Sequence, residues 1–91
     1  PVAVLLQVPA QPLLGGLTED ALIAATFARY LDGAGADWPL LLPMAKAGSA
    51  ALTALAAVAA DDCGVRPERF IVTGASKRGW TAWLLAAADP R

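Results

Sequence analysis

The stretch Phe70-Ile71-Val72-Thr73-Gly74-Ala75-Ser76-Lys77 constrains this chain more than any other. An apolar β-branched run stops at a glycine, and a helical pattern begins within three residues. From Lys77 to Ala88 the residues Trp80, Trp83, Leu84 and Ala87 recur at helical spacing and are expected to share a buried face. A strand over Arg69–Thr73, a tight turn and then a helix is the reading. A second run, Val2 to Val8, is short, apolar and bounded by Pro1 and Pro9. It reads as a strand buried on both faces, as in a parallel sheet.

Two helices lie between these runs. Thr18 has the character of an N-cap, with Glu19 and Asp20 in the first turn, where the helix dipole favours acids. Leu22, Ile23, Thr26, Phe27, Tyr30 and Leu31 then share a stripe, ended by Asp32-Gly33. The next helix is expected from about Pro43 to Ala60, burying Met44, Ala47, Gly48, Ala51, Leu52, Leu55 and Val58. The order is β-α-α-β-α, and the fold class is α/β with a parallel sheet.

Composition sets limits on this reading. Hydrophobic residues make up 57% of the 91 residues. That exceeds the apolar share usual for a soluble domain, and a small domain has little core in which to hide it. A membrane span is not expected, because Ala47 to Ala60 is shorter than the roughly 20 residues a span needs. The excess instead fits residues 1–91 as a partial α/β domain whose apolar faces meet the rest of its own chain. Seven basic and eight acidic residues leave a formal charge of −1, which gives nucleic acid no electrostatic footprint. No signal peptide is visible.

Chemistry points to one place. Serine two residues after Gly74, between a strand and a helix, is the setting of a nucleophile elbow. Gly74 and Ala75 keep the turn small, Ser76 is the candidate nucleophile, and the backbone N–H of Lys77 is the candidate oxyanion donor. The usual pattern has glycine two residues after the serine. Here Arg78 stands there and Gly79 follows one residue late. The competing reading is an ordinary turn in which Ser76 caps the helix. Lys77 and Arg78 are then solvated first-turn residues.

There is no histidine, so an imidazole base has to come from outside these residues. Cys63 has no second cysteine or histidine with which to hold a metal and reads as a small buried residue. Asp61 and Asp62 are adjacent and point apart on a helix, which suits a solvated end better than paired acid–base work. The glycines show no phosphate-cradling spacing. No cofactor and no metal are expected. Trp38, before Pro39, reads as a packed loop anchor.

Several clusters together resemble one family. Thr73-Gly74-Ala75-Ser76-Lys77-Arg78-Gly79-Trp80-Thr81, with Trp83 and Asp89-Pro90-Arg91, strongly resembles the PhoPQ-activated pathogenicity-related family. Gln7-Val8-Pro9-Ala10-Gln11-Pro12-Leu13 is similar to a family stretch that has asparagine in place of Ala10. Glu19-Asp20-Ala21, Trp38-Pro39-Leu40 and Leu42-Pro43-Met44-Ala45-Lys46 follow in the family's order. The resemblance implies a large, usually exported protein, secreted or periplasmic, with an α/β-hydrolase-like core. It implies Ser76 as nucleophile, with the acid and histidine downstream; a small-molecule or acyl substrate is expected of such a nucleophile, and the resemblance does not identify it. Lys77 is also loosely similar to the basic residue that follows the serine in glucuronoyl esterases. The alternative is a non-catalytic secreted signalling or binding protein on the same scaffold.

Overall fold

A computed structural model describes all of residues 1–91. Three helices form: α1 (Glu19–Leu31), α2 (Leu41–Cys63) and α3 (Lys77–Ala88). The α/β expectation is overturned, because the structure is helical and contains no sheet. Val2–Val8 and Arg69–Thr73 form no strand, and neither finds a strand partner. Their apolar residues lie open: Val2 is 94% exposed and Ile71 fully so. An apolar run of strand length reports a demand for burial, and only a neighbouring backbone can turn that demand into a ladder. The only bridge joins Leu13 to Leu17 within one tight turn.

The nucleophile elbow, defined as a turn between a sheet strand and a helix, is corrected with the fold class. The residues before the turn make one long-range backbone bond, from the Phe70 N–H to the Arg91 carbonyl at 3.1 Å.

The helices follow from local chemistry. Thr18 precedes α1 with extended φ and ψ, although its hydroxyl caps nothing. Gly33, at φ 86°, supplies the left-handed turn after the helix. Helix α2 is longer at both ends than its pattern suggests, with Pro43 tolerated in its first turn. Gly64, at φ 67°, takes its left-handed C-cap. Helix α3 has the expected bounds.

The core lies where α1 meets the start of α2. Leu22, Leu40, Leu41 and Met44 are buried together, with Val8, Leu17, Ile23, Phe27 and Leu84 around them. Thr26 on α1 joins the two helices. Its hydroxyl donates to the Ile23 carbonyl at 2.8 Å and accepts from the Leu40 N–H at 3.1 Å. The start of α2 thus receives from α1 the acceptor that its own sequence lacks.

Helix α3 lies along α2, where a Cβ on Gly48 would stand 2.7 Å from a Leu85 methyl. The buried stripe of α3 is Lys77, Thr81 and Leu85, not the expected tryptophan face. Trp83 is 80% exposed and Trp80 half-exposed. Cys63, expected to be buried, is exposed. On α2, Met44 and Leu52 are buried as expected, whereas Val58 is exposed. By length and composition α2 could cross a membrane; here the Met44–Leu52 face of the helix is covered by its neighbours.

The last residues are tied back to α2. The Ser49 hydroxyl donates to Asp89 at 2.6 Å, and the Arg91 guanidinium donates to Asp89, Ser49 and Thr53. Arg91, and then Ser49, hold the Asp89 carboxyl well below the usual carboxylate range. Only 11 of 91 residues are buried, and the radius of gyration is 14.9 Å. About 12 Å is usual for this length, so the helices form one wall of a core rather than a closed one.

Two glycines bring the segment before the turn against α3. A Cβ on Gly74 would lie 2.5 Å from the Arg78 carbonyl, and one on Gly79 would lie 2.9 Å from the Gly74 carbonyl. Gly74→Ala is expected to destabilise the intact protein by about 1–3 kcal/mol, as overpacking against backbone does. Chemical unfolding measures this. An unchanged midpoint would show that the contact is not needed.

Candidate functional site

Ser76 occupies the residue before α3, at φ 54° and ψ −125°. A non-glycine residue there carries strain of about 1–3 kcal/mol and persists only when its surroundings impose it. Ser76 is exposed, and its side chain makes no capping hydrogen bond. The plain helix-cap role is therefore absent. Past the serine, the Arg78 N–H donates to the Ala75 carbonyl at 3.0 Å and the Trp80 N–H to the Ser76 carbonyl at 3.1 Å. The Lys77 N–H donates to no protein acceptor. A free hydroxyl and a free helix-start N–H thus sit on consecutive residues.

What imposes the turn is a polar cluster. The Lys77 side chain is 1% exposed, and its ammonium lies 2.6 Å from Glu19 Oε2. The same ammonium donates to Gln11 Oε1 at 2.9 Å. Gln11 Oε1 also accepts from the Glu19 backbone N–H at 3.1 Å, and the Gln11 amide nitrogen donates to Glu19 Oε1. Arg78 adds Nη1 to both Glu19 oxygens, at 3.2 and 3.0 Å, and Nε to the Val8 carbonyl at 3.1 Å. Gln11 in the first loop and Glu19 at the start of α1 thereby clamp the first turn of α3. Burying an ammonium is costly unless its donors are met, and here two acceptors meet it.

This geometry bears on each residue singled out by sequence. Lys77 is neither solvated nor free to offer its ammonium to an oxyanion, since Glu19 and Gln11 engage it. Arg78, standing where the second glycine of the usual pattern would be, secures the first loop. Gly79 makes the close approach to Gly74 instead. Ala75 is exposed at the turn. Asp61 and Asp62 are exposed at the end of α2, and no group of acidic, cysteine or histidine side chains is arranged to hold a metal. Trp38 is half-buried under the Arg29 guanidinium, 4.9 Å from its ring centroid. Sequence reasoning missed Gln11 and Glu19 as parts of the site. Both lie in stretches that resemble the family, Gln7–Leu13 and Glu19–Ala21, and that resemblance was the signal that could have singled them out.

A cleft of about 400 Å³ opens beside the serine, lined by Asp20, Ile23, Ala24, Phe27, Ser76, Lys77 and Trp80. Two of these residues, Phe27 and Trp80, stack on each other, with centroids 6.2 Å apart and planes 14° from parallel. Helix α1 and the first turn of α3 form its walls.

Lys77, then Gln11, lower the Glu19 carboxyl from 4.5 to about 2. A depressed carboxyl stabilises the fold fully above its unfolded value and ceases to do so as pH falls through the folded one. The melting-temperature gap between wild type and Glu19→Gln should therefore hold steady above about pH 5 and close between 4.5 and about 2. A gap independent of pH down to about 2 would show that the cluster does not depend on Glu19 ionisation.

Comparison with known proteins bears out the family resemblance. The autocrine proliferation repressor protein A of Dictyostelium discoideum is 38% identical over 93 residues, covering 96% of this chain. The chain spans 19% of that relative's length. No solved structure matches it significantly. The sequence profile described as PhoPQ-activated pathogenicity-related protein matches residues 1–91 from end to end, and the chain belongs to that family.

Proposed function

We propose that this chain carries the nucleophile of a serine hydrolase acting on an ester or related acyl bond. The observation supporting it is the state of Ser76: exposed, strained and uncapped, beside the free N–H of Lys77. Ser76 Oγ attacks the acyl carbonyl and forms the Oγ–C bond. Its proton passes to a base and from there to the departing alcohol oxygen as the ester C–O bond breaks. Water then releases the acid and restores the hydroxyl. The Lys77 N–H donates to the oxyanion. Lys77 is not the base, because its ammonium is committed to Glu19 and Gln11.

The base and the acid that orients it belong to the remainder of the protein. That remainder also covers Val2, Val4, Leu6 and Ile71, in keeping with a relative about five times as long. A large exposed apolar surface in a small unit marks an interface.

A second reading is a non-catalytic signalling or binding role, supported by the relative's name as an autocrine repressor of proliferation. Ester turnover separates the two. Ser76→Ala in the intact protein is expected to lower hydrolysis of p-nitrophenyl acetate by at least about a thousandfold. Wild-type turnover by that variant would sink the nucleophile and favour the signalling role.

A further inference from the structure

We propose that the cleft between α1 and the first turn of α3 is an acyl-binding site selective for neutral, apolar acyl groups. The proposal rests on Ser76 being the attacking residue. Two clefts flank the start of α3, and Ser76 lines only one of them. The other, about 300 Å³, runs along Val72, Gly74, Ala82 and Trp83 and does not include the serine. A group bound in the cleft that Ser76 lines meets Ile23, Ala24, Phe27 and Trp80.

Shape and charge then select the ligand. At about 400 Å³ the cleft is at the small end of ligand sites, which run from about 300 to 1,000 Å³. Phe27 and Trp80, stacked on each other, contribute apolar ring surface to the lining beside Ile23 and Ala24, suited to a short alkyl or aryl group. Two charged residues line the cleft. Lys77 is neutralised by Glu19, whereas Asp20 is exposed and takes part in no ion pair. Arg78 shares Glu19 with Lys77, so these two cations balance Glu19 and Asp20, and an acyl carboxylate entering the cleft loses hydration with no unpaired cation among the lining residues to receive it.

The test uses the intact protein with p-nitrophenyl acetate, hexanoate and hemisuccinate. Hexanoate is expected to exceed acetate in kcat/KM by roughly tenfold or more, and hemisuccinate to fall below acetate. Ala24 is exposed on α1, so Ala24→Phe fills the cleft from the surface and should reverse the hexanoate preference. Asp20→Asn should raise hemisuccinate relative to acetate. Methyl hexyl ketone, a neutral non-hydrolysable probe, is titrated in parallel into Ser76→Ala protein and read by tryptophan fluorescence. Saturable binding that Ala24→Phe removes upholds the cleft even if no ester is turned over, in which case the nucleophile reading fails alone. Ser76-dependent hydrolysis with a flat acyl profile that Ala24→Phe leaves unchanged overturns the cleft and spares the nucleophile. Absence of both ketone binding and acyl preference overturns it as well.

Discussion

The ammonium of Lys77, buried between Glu19 and Gln11, is the contact on which the candidate site depends. A lysine at the first position of a helix ordinarily extends into water. Here it turns inward and is held by two acceptors from a loop and a helix more than 50 residues earlier. A buried charge adds little net stability over an apolar substitute, but it tolerates few arrangements. One arrangement fixes the start of α1, the first loop and the start of α3 relative to one another. Glu19, itself at φ 45°, and Ser76, at φ 54°, are both strained, and they lie at either side of this cluster. The strain at the serine is sustained from outside its own turn.

The same contact explains a departure from a common motif. In the usual Gly-x-Ser-x-Gly spacing the second glycine lets the helix approach the segment before the turn. In this chain that approach is made by Gly79 against the Gly74 carbonyl. The position thus freed is taken by Arg78, whose guanidinium reaches Glu19 and the Val8 carbonyl. A one-residue displacement of glycine exchanges local compactness for a long-range tie.

Legibility in the sequence followed the range of the physics involved. The bounds of α3, the left-handed turns at Gly33 and Gly64, and the tight turn before Lys77 depend on neighbouring residues, and local pattern located them. The buried stripe of α3 did not follow from apolar spacing. Tryptophan drew the expectation towards Trp80 and Trp83, while burial went to Lys77, Thr81 and Leu85. Lys77 is buried by its ion pair and Thr81 by a hydroxyl that returns to the Lys77 carbonyl at 2.8 Å, and neither reads as apolar. The sheet failed for a related reason. Val2–Val8 and Phe70–Val72 have the composition of strands, yet pairing belongs to a partner backbone, which neither segment has here. Ser76 and Lys77 were legible as candidates. Gln11 and Glu19 were not, because a loop amide and a first-turn acid have ordinary local roles that account for them fully.

The division of labour at the site follows from these placements. Under the proposed function, chemistry that relies on the backbone, the strained serine and the Lys77 N–H, is concentrated at one turn. Under the same proposal, selection among ligands falls to α1, through Ile23, Ala24, Phe27 and Asp20. The Glu19 cluster joins the two, because the residue that clamps the turn is also the first residue of the helix that walls the cleft. A change that loosens Glu19 therefore acts on the serine conformation and on the cleft wall at once. A change at Ala24, on the outer surface of α1, touches the wall alone. That asymmetry allows positioning and selection to be separated experimentally in a site whose parts are otherwise fixed together.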